Sequence, residues 1–231
     1  MNFRFWFIPS VLLLLVASST HAVVITIPPA LDPGDQYRLV FVTSGTRDAI
    51  PTDIEVYNNF VQSAADAVPD LASLAVTWKA MGSSASVAAR ENTDSIPGVD
   101  DVPIFLLDGS KFADDYGDLW DGSLDIPLNI DETGNLAGSL RVWTGSNEFG
   151  QIWGARTFGS SGGVKCGYSS MVTREWMAFP DQTHRFEQSH LYAMSDVLTV
   201  PEPGTFTGLL IALAGAGVLR VTMRSRKRER H

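Results

Sequence analysis

The sequence predicts an α+β fold: a mixed, mostly antiparallel sheet with one or two helices near its start and long loops. Three observations carry this. A single long amphipathic helical stripe occurs, beginning at Ile54. Short runs rich in β-branched and aromatic residues recur from Tyr37 to Val200. Between them lie stretches dense in Gly, Pro, Asp, Asn and Ser, the residues that make turns.

Residues 37–43 read Tyr-Arg-Leu-Val-Phe-Val-Thr, a strand by composition. Thr52 or Asp53 can cap a helix that runs to about Ala67, because Ile54, Tyr57, Phe60, Val61 and Ala64 fall on one stripe. Pro69 ends that helix, which packs on the sheet holding the preceding strand. Residues 74–82 read as a second core strand and 87–90 as a short helix. Residues 102–107 form a strand, Asp108-Gly109 a turn, and Lys111-Phe112-Ala113 pairs back. Residues 142–145, 175–179 and 191–195 read as further strands, and 154–167 as a Gly- and Ser-rich loop.

Both ends of the chain differ from this body. Arg4, the apolar run 5–17 and the small-residue end Thr20-His21-Ala22 have the layout of a signal peptide over residues 1–22, cut after Ala22. Residues 23–199 are then an exported globular domain. From 200 on come Val-Pro-Glu-Pro-Gly, a second apolar run and an Arg-rich end. The second run supports a transmembrane helix at about 205–223 if Arg220 snorkels to the interface.

Charge separates the same segments. Residues 23–203 hold ten Lys and Arg against 25 Asp and Glu, a net −15, whereas 204–231 hold six against one, a net +5. An acidic body excludes nucleic acid as its partner, since phosphates need Lys and Arg. A basic tail after a membrane segment belongs on the cytoplasmic face. The one cysteine, Cys166, excludes an intrachain disulfide. A body of about 180 residues buries enough core to do without one, and a lone Cys of this kind is ordinarily a small buried residue.

The tail, with Val200, Pro201, Glu202 and Pro203 followed by an apolar run and an Arg-rich end, resembles the PEP-CTERM sorting signal. That resemblance implies recognition by an exosortase, a membrane protease of Gram-negative bacteria that often make exopolysaccharide. It further implies anchoring in the inner membrane before processing near the motif, then transfer to the cell surface or extracellular matrix. The body more loosely resembles bacterial exported domains of C-type-lectin-like or endostatin-like fold. The residues concerned include 39–44, Trp78-Lys79-Ala80, 103–109 and the run from Ala113 to Gly145. It lacks the disulfide pair and the sugar-site triplets of calcium-dependent lectins.

Two groups of residues stand out as candidate sites. Asp114, Asp115, Asp118, Asp121, Asp125 and Asp131 crowd one loop and supply the oxygens that Ca²⁺ prefers, without EF-hand spacing. The same residues are also ordinary turn formers. Trp120 and Trp153 lie in loops, where an indole face can stack on a sugar ring, whereas Trp78, Trp143 and Trp176 sit in apolar runs and read as core. No nucleophile elbow, phosphate loop or His metal spacing occurs, and no spacing joins Cys166 to His184 or His190 as a catalytic pair. The sequence therefore points to a non-catalytic binding or structural module of an extracellular polysaccharide layer. The alternative is a secreted glycan hydrolase using loop carboxylates, which would need a defined pair.

Overall fold

The computed structural model describes residues 24–202. At its centre is β1 (Gln36–Val42), whose six residues from Tyr37 on are all buried. A strand covered on both faces needs an apolar run rather than alternation, and Leu39–Val42 supplies one, while the buried Arg38 before it donates to the Thr93 and Asp94 carbonyls. On one side β1 pairs in parallel with β3 (Ile104–Leu106), Arg38 opposite Ile104. On the other it pairs antiparallel with β8 (His190–Ser195), Val40 opposite Met194.

The rest of the nine-stranded sheet grows from these two neighbours. β4 (Lys111–Ala113) returns beside β3 through the expected turn, with Gly109 at φ 83° and its N–H donating to the Leu106 carbonyl at 3.0 Å. β2 (Trp78–Ala80) pairs with one part of β8 and β5 (Arg141–Trp143) with another. Beyond β5 lie β6 (Val164–Tyr168) and β7 (Gln182–Thr183). β9 (Leu198–Thr199) closes back on the start of β1. Six of these eight pairings are antiparallel, so the sheet is mixed and mostly antiparallel, as expected.

Helix α1 (Glu55–Asp66) lies against β2 and β8. Its buried face is Tyr57, Asn58, Val61 and Ala65, turned slightly from the expected stripe, so that Phe60 and Ala64 are only half-buried. The reason is Asn58. Its Oδ1 accepts from the Ala80 N–H at 3.0 Å and from Asn92 Nδ2 at 2.8 Å, and its Nδ2 donates to Asn92 Oδ1 at 3.0 Å. A buried amide satisfied on both sides is tolerated in a core. Three single-turn helices follow: α2 (Pro69–Ala72), which starts on the proline expected to end α1, α3 (Ala89–Asn92) and α4 (Tyr116–Leu119).

The structure corrects three expectations. The strand foreseen at 74–82 shrinks to β2, because Leu74 and Ala75 close a turn after α2 and Ala75 has φ 52°. Residues 175–179 are not a strand. Arg174–Trp176 is a 3-10 turn whose Trp176 carbonyl lies against the backbone of Gly167. The Gly/Ser-rich stretch 154–167 is not all loop, since its end begins β6. Trp78, Trp143 and Trp176 are all fully buried, as expected. Among the described residues no helix is long and apolar enough to cross a membrane, and the helix expected at about 205–223 lies outside them, as does the signal peptide expected over residues 1–22.

Candidate functional site

A polar cleft of about 530 Å³ opens beside β6 and β7, lined by Trp153, Arg156, Lys165, Pro180, Asp181 and Gln182. Three segments build it. The first is the 153–156 turn, closed by the Arg156 N–H donating to the Trp153 carbonyl at 3.0 Å. The second is β6, whose pleat places Lys165 on the opposite face from Val164 and Cys166. The third is the lead into β7, where Gln182 stands opposite Lys165. Gly163 sits at the junction with φ 101°, and a side chain there would press on Gln182.

Trp153 is 42% exposed, so much of its indole is free at the mouth of the cleft. Lys165 is only 6% exposed, and its Nζ lies 5.2 Å from the centre of the Trp153 ring. That Nζ donates to the Pro180 carbonyl at 3.2 Å. Burial lowers the Lys165 pKa. Arg156 is held at the rim by a hydrogen bond from its Nη1 to the Gly162 carbonyl. An exposed indole edged by charged and amide side chains is an arrangement that stacks on an apolar sugar face and hydrogen-bonds its hydroxyls.

Trp120, the other loop tryptophan expected to stack, lies elsewhere. It is 4% exposed, its ring centre is 5.9 Å from that of Trp176, and its Nε1 donates to the Ser95 carbonyl at 2.9 Å. Gly150 closes over it, so its faces are occupied by the protein itself.

The six aspartates of the acidic loop are spent separately. Asp115 Oδ1 caps α4 by accepting the Asp118 N–H, and Asp118 Oδ2 accepts the Asp114 N–H, both at 2.8 Å. Asp114 pairs with Lys111. Asp121 Oδ1 accepts from the Ser123 N–H at 2.8 Å. Asp131 Oδ1 accepts from the Thr133 N–H, the Thr133 hydroxyl and the Asn135 N–H, while Asp125 is exposed. These are local turn contacts of the kind Asp favours. Among the described residues no group of three or more His, Cys, Asp or Glu side chains is placed to hold a metal ion. Next to Asp131, Glu132 bonds the backbone and hydroxyl of Ser44, pinning this loop to the end of β1.

The residues expected to form a sorting motif lie at the end of the described chain. Val200 is buried, its N–H donates to the Asp35 carbonyl at 2.9 Å and its carbonyl accepts from the Gly34 N–H at 3.0 Å. Pro201 and Glu202 are exposed, and Pro203 lies outside the described residues. Cys166 is buried against Thr183, and burial pushes its thiol pKa up, away from the reactive thiolate. His190 holds the Thr43 carbonyl through Nδ1 at 2.7 Å.

Of the residues lining this cleft, the sequence singles out Trp153 but not Lys165, Arg156, Asp181 or Gln182. The one local signal was a Lys between Val164 and Cys166 at the end of a Gly-rich run. No protein-family model matches this chain, and no curated protein matches it.

Proposed function

We propose that this chain is an exported, exosortase-sorted protein of the cell surface or extracellular matrix. Its body is a non-catalytic module that binds glycan in an exopolysaccharide layer. The observation that carries the binding role is the exposed face of Trp153 at the mouth of a 530 Å³ polar cleft. An early helix, a mixed sheet and a second half rich in long loops support a C-type-lectin-like body. The PEP-CTERM-like tail supports an inner-membrane stage with the C-terminus in the cytoplasm, followed by processing and release to the surface.

Binding is favoured over hydrolysis by the make-up of the cleft. Glycoside hydrolysis ordinarily uses two carboxyl groups flanking the scissile bond. Among the described lining residues Asp181 is the only carboxylate. The full-length chain in detergent, run in affinity gels against a panel of bacterial polysaccharides, tests this. Retardation by at least one polysaccharide is expected, lost in Trp153→Ala without a change in Tm and without release of reducing sugar. Sugar release abolished by Asp181→Asn would sink the non-catalytic reading, and the absence of any retardation would sink the binding role.

A further inference from the structure

We infer that the cleft is built for an acidic saccharide, a glycan whose sugar units carry carboxylate groups. This rests on the glycan-binding reading above and specifies its ligand class. The body bears a net −15 over residues 23–203, yet this cleft gathers two cations, Arg156 and Lys165, against one carboxylate, Asp181. The local sign of charge runs against that of the whole body.

Lys165 makes the case more than the count does. It is 6% exposed, and among the described residues it has no carboxylate within ion-pair distance. An ammonium carries three N–H donors. One goes to the Pro180 carbonyl, and the ammonium borders the cleft over the ring of Trp153, 5.2 Å from its centre, leaving the rest of the indole open. Burying a cation without a counter-charge costs stability, so the fold keeps Lys165 there at a loss. A ligand carboxylate entering the cleft supplies the missing partner. Arg156 is likewise without an ion pair among the described residues. Its tether to Gly162 uses one of five N–H donors and fixes the guanidinium at the rim. The sugar ring then stacks on the open part of Trp153, its carboxylate reaches Lys165 and Arg156, and its hydroxyls meet Asp181 and Gln182. Burial holds the Lys165 pKa down, with Arg174 and Arg156 acting the same way and Cys166 and Asp181 acting against it, and a further carboxylate beside the ammonium would raise it.

Calorimetric titration of the full-length chain in detergent tests this, using oligogalacturonate and the same oligosaccharide with its carboxyl groups reduced to alcohols. Oligogalacturonate should bind roughly 10-fold or more tightly than the reduced form, the worth of one charge-assisted hydrogen bond. The preference should shrink between ~50 mM and ~500 mM salt, over which screening shortens severalfold. Lys165→Met should erase the preference and leave Tm unchanged or higher, since it removes an unpaired buried charge. Should that variant fail to fold, Arg156→Gln at the half-exposed rim should reduce the preference instead. Equal binding of the two oligosaccharides, or binding only of neutral glycans from a wider panel, would overturn the acidic class and leave glycan binding standing. Displacement by inorganic phosphate at equal charge concentration would show a simple anion site and overturn the saccharide assignment. Binding of no glycan at all would overturn the underlying reading as well.

Discussion

At the scale of single residues, buried polar groups decide how the helix sits on the sheet. Asn58 serves the Ala80 N–H and both polar ends of Asn92, and Asn92 Nδ2 also reaches the Ala80 carbonyl at 2.8 Å. Asn58→Ala leaves a buried backbone N–H and part of an amide without partners, so a loss of about 2–3 kcal/mol is expected in urea unfolding. A loss below about 0.5 kcal/mol, the range of ordinary surface changes, would refute this account of the tilt of α1. Titratable residues set a second expectation. Burial raises the phenol pKa of Tyr37, Tyr57, Tyr116 and Tyr192, and it raises the Cys166 thiol. The folded chain thus holds these protons at pH values where the unfolded chain has released them. Their contribution is complete below about pH 8.5 and is lost first through Cys166, then more steeply above about pH 10 through the tyrosines. Lys165, with its lowered pKa, works in the opposite sense but is one group against five. Urea midpoints should therefore be level near neutrality and fall on the alkaline side, with the earliest part of the fall absent in Cys166→Ala. A midpoint that rises above pH 10 would contradict the assignment.

At the scale of elements, the parts legible in the sequence are those whose pattern is local. β1 announces itself by six buried residues in a row, α1 by its stripe, and the β3–β4 hairpin by Asp108-Gly109. β6 was hidden because its sequence answers to distant partners. Lys165 interrupts its apolar run to face the cleft, and Gly167 is present because the Trp176 carbonyl passes there. A Cβ on Gly167 would lie 1.8 Å from that oxygen. The same crossing explains why 175–179, apolar and aromatic, is not a strand. Its backbone turns at Arg174–Trp176, and the Phe179 N–H then donates to the Cys166 carbonyl at 2.9 Å. The candidate site was half legible for the same reason. A loop Trp is visible in one dimension, but Lys165 meets Gln182 through the β6–β7 pairing and Arg156 through its own N–H, which donates to the Arg156 carbonyl at 2.8 Å. Gly167→Ala should accordingly cost at least ~3 kcal/mol, beyond the usual range for overpacking, because backbone and not a side chain must move. Thermal unfolding checks this. A Tm within a few degrees of wild type would mean that β6 and the 3-10 turn separate easily, and the cleft beside them could not be rigid.

At the scale of the whole molecule, the start of β1 ties the C-terminal end of the described chain to one end of the sheet. The backbone of Tyr37 pairs with Leu198, whereas the N-terminal stretch lies further along the sheet, the Ile25 N–H donating to the Leu107 carbonyl at 2.7 Å just past β3. Gly34 and Asp35 hold Val200. The cleft sits away from that end. Thr144 bonds Lys165, its neighbour Trp143 stands opposite Leu191, and Tyr192 stands opposite Val42, so Lys165 lies near the level of the far end of β1 and three strands across. On the proposed reading, the tail leaves from one end of the fold and ligand is met at another, so release need not alter binding. The same geometry limits where the tail can be cut. A protease needs an extended, accessible segment, and backbone held in a sheet is not one until it opens. Val200 is buried and bonded on both sides, whereas Pro201 and Glu202 are exposed. Mass spectrometry of the surface form should therefore find an N-terminus at Val23 and a C-terminus at Pro201 or later. Inserting a Gly-Ser spacer directly after Val200, with Pro201, Glu202 and Pro203 kept, should speed processing by drawing the motif away from the body. A mature C-terminus inside 190–199 would mean that β9 opens before cleavage, and an intact Arg-rich tail on the surface form would sink the sorting signal and leave a plain membrane anchor.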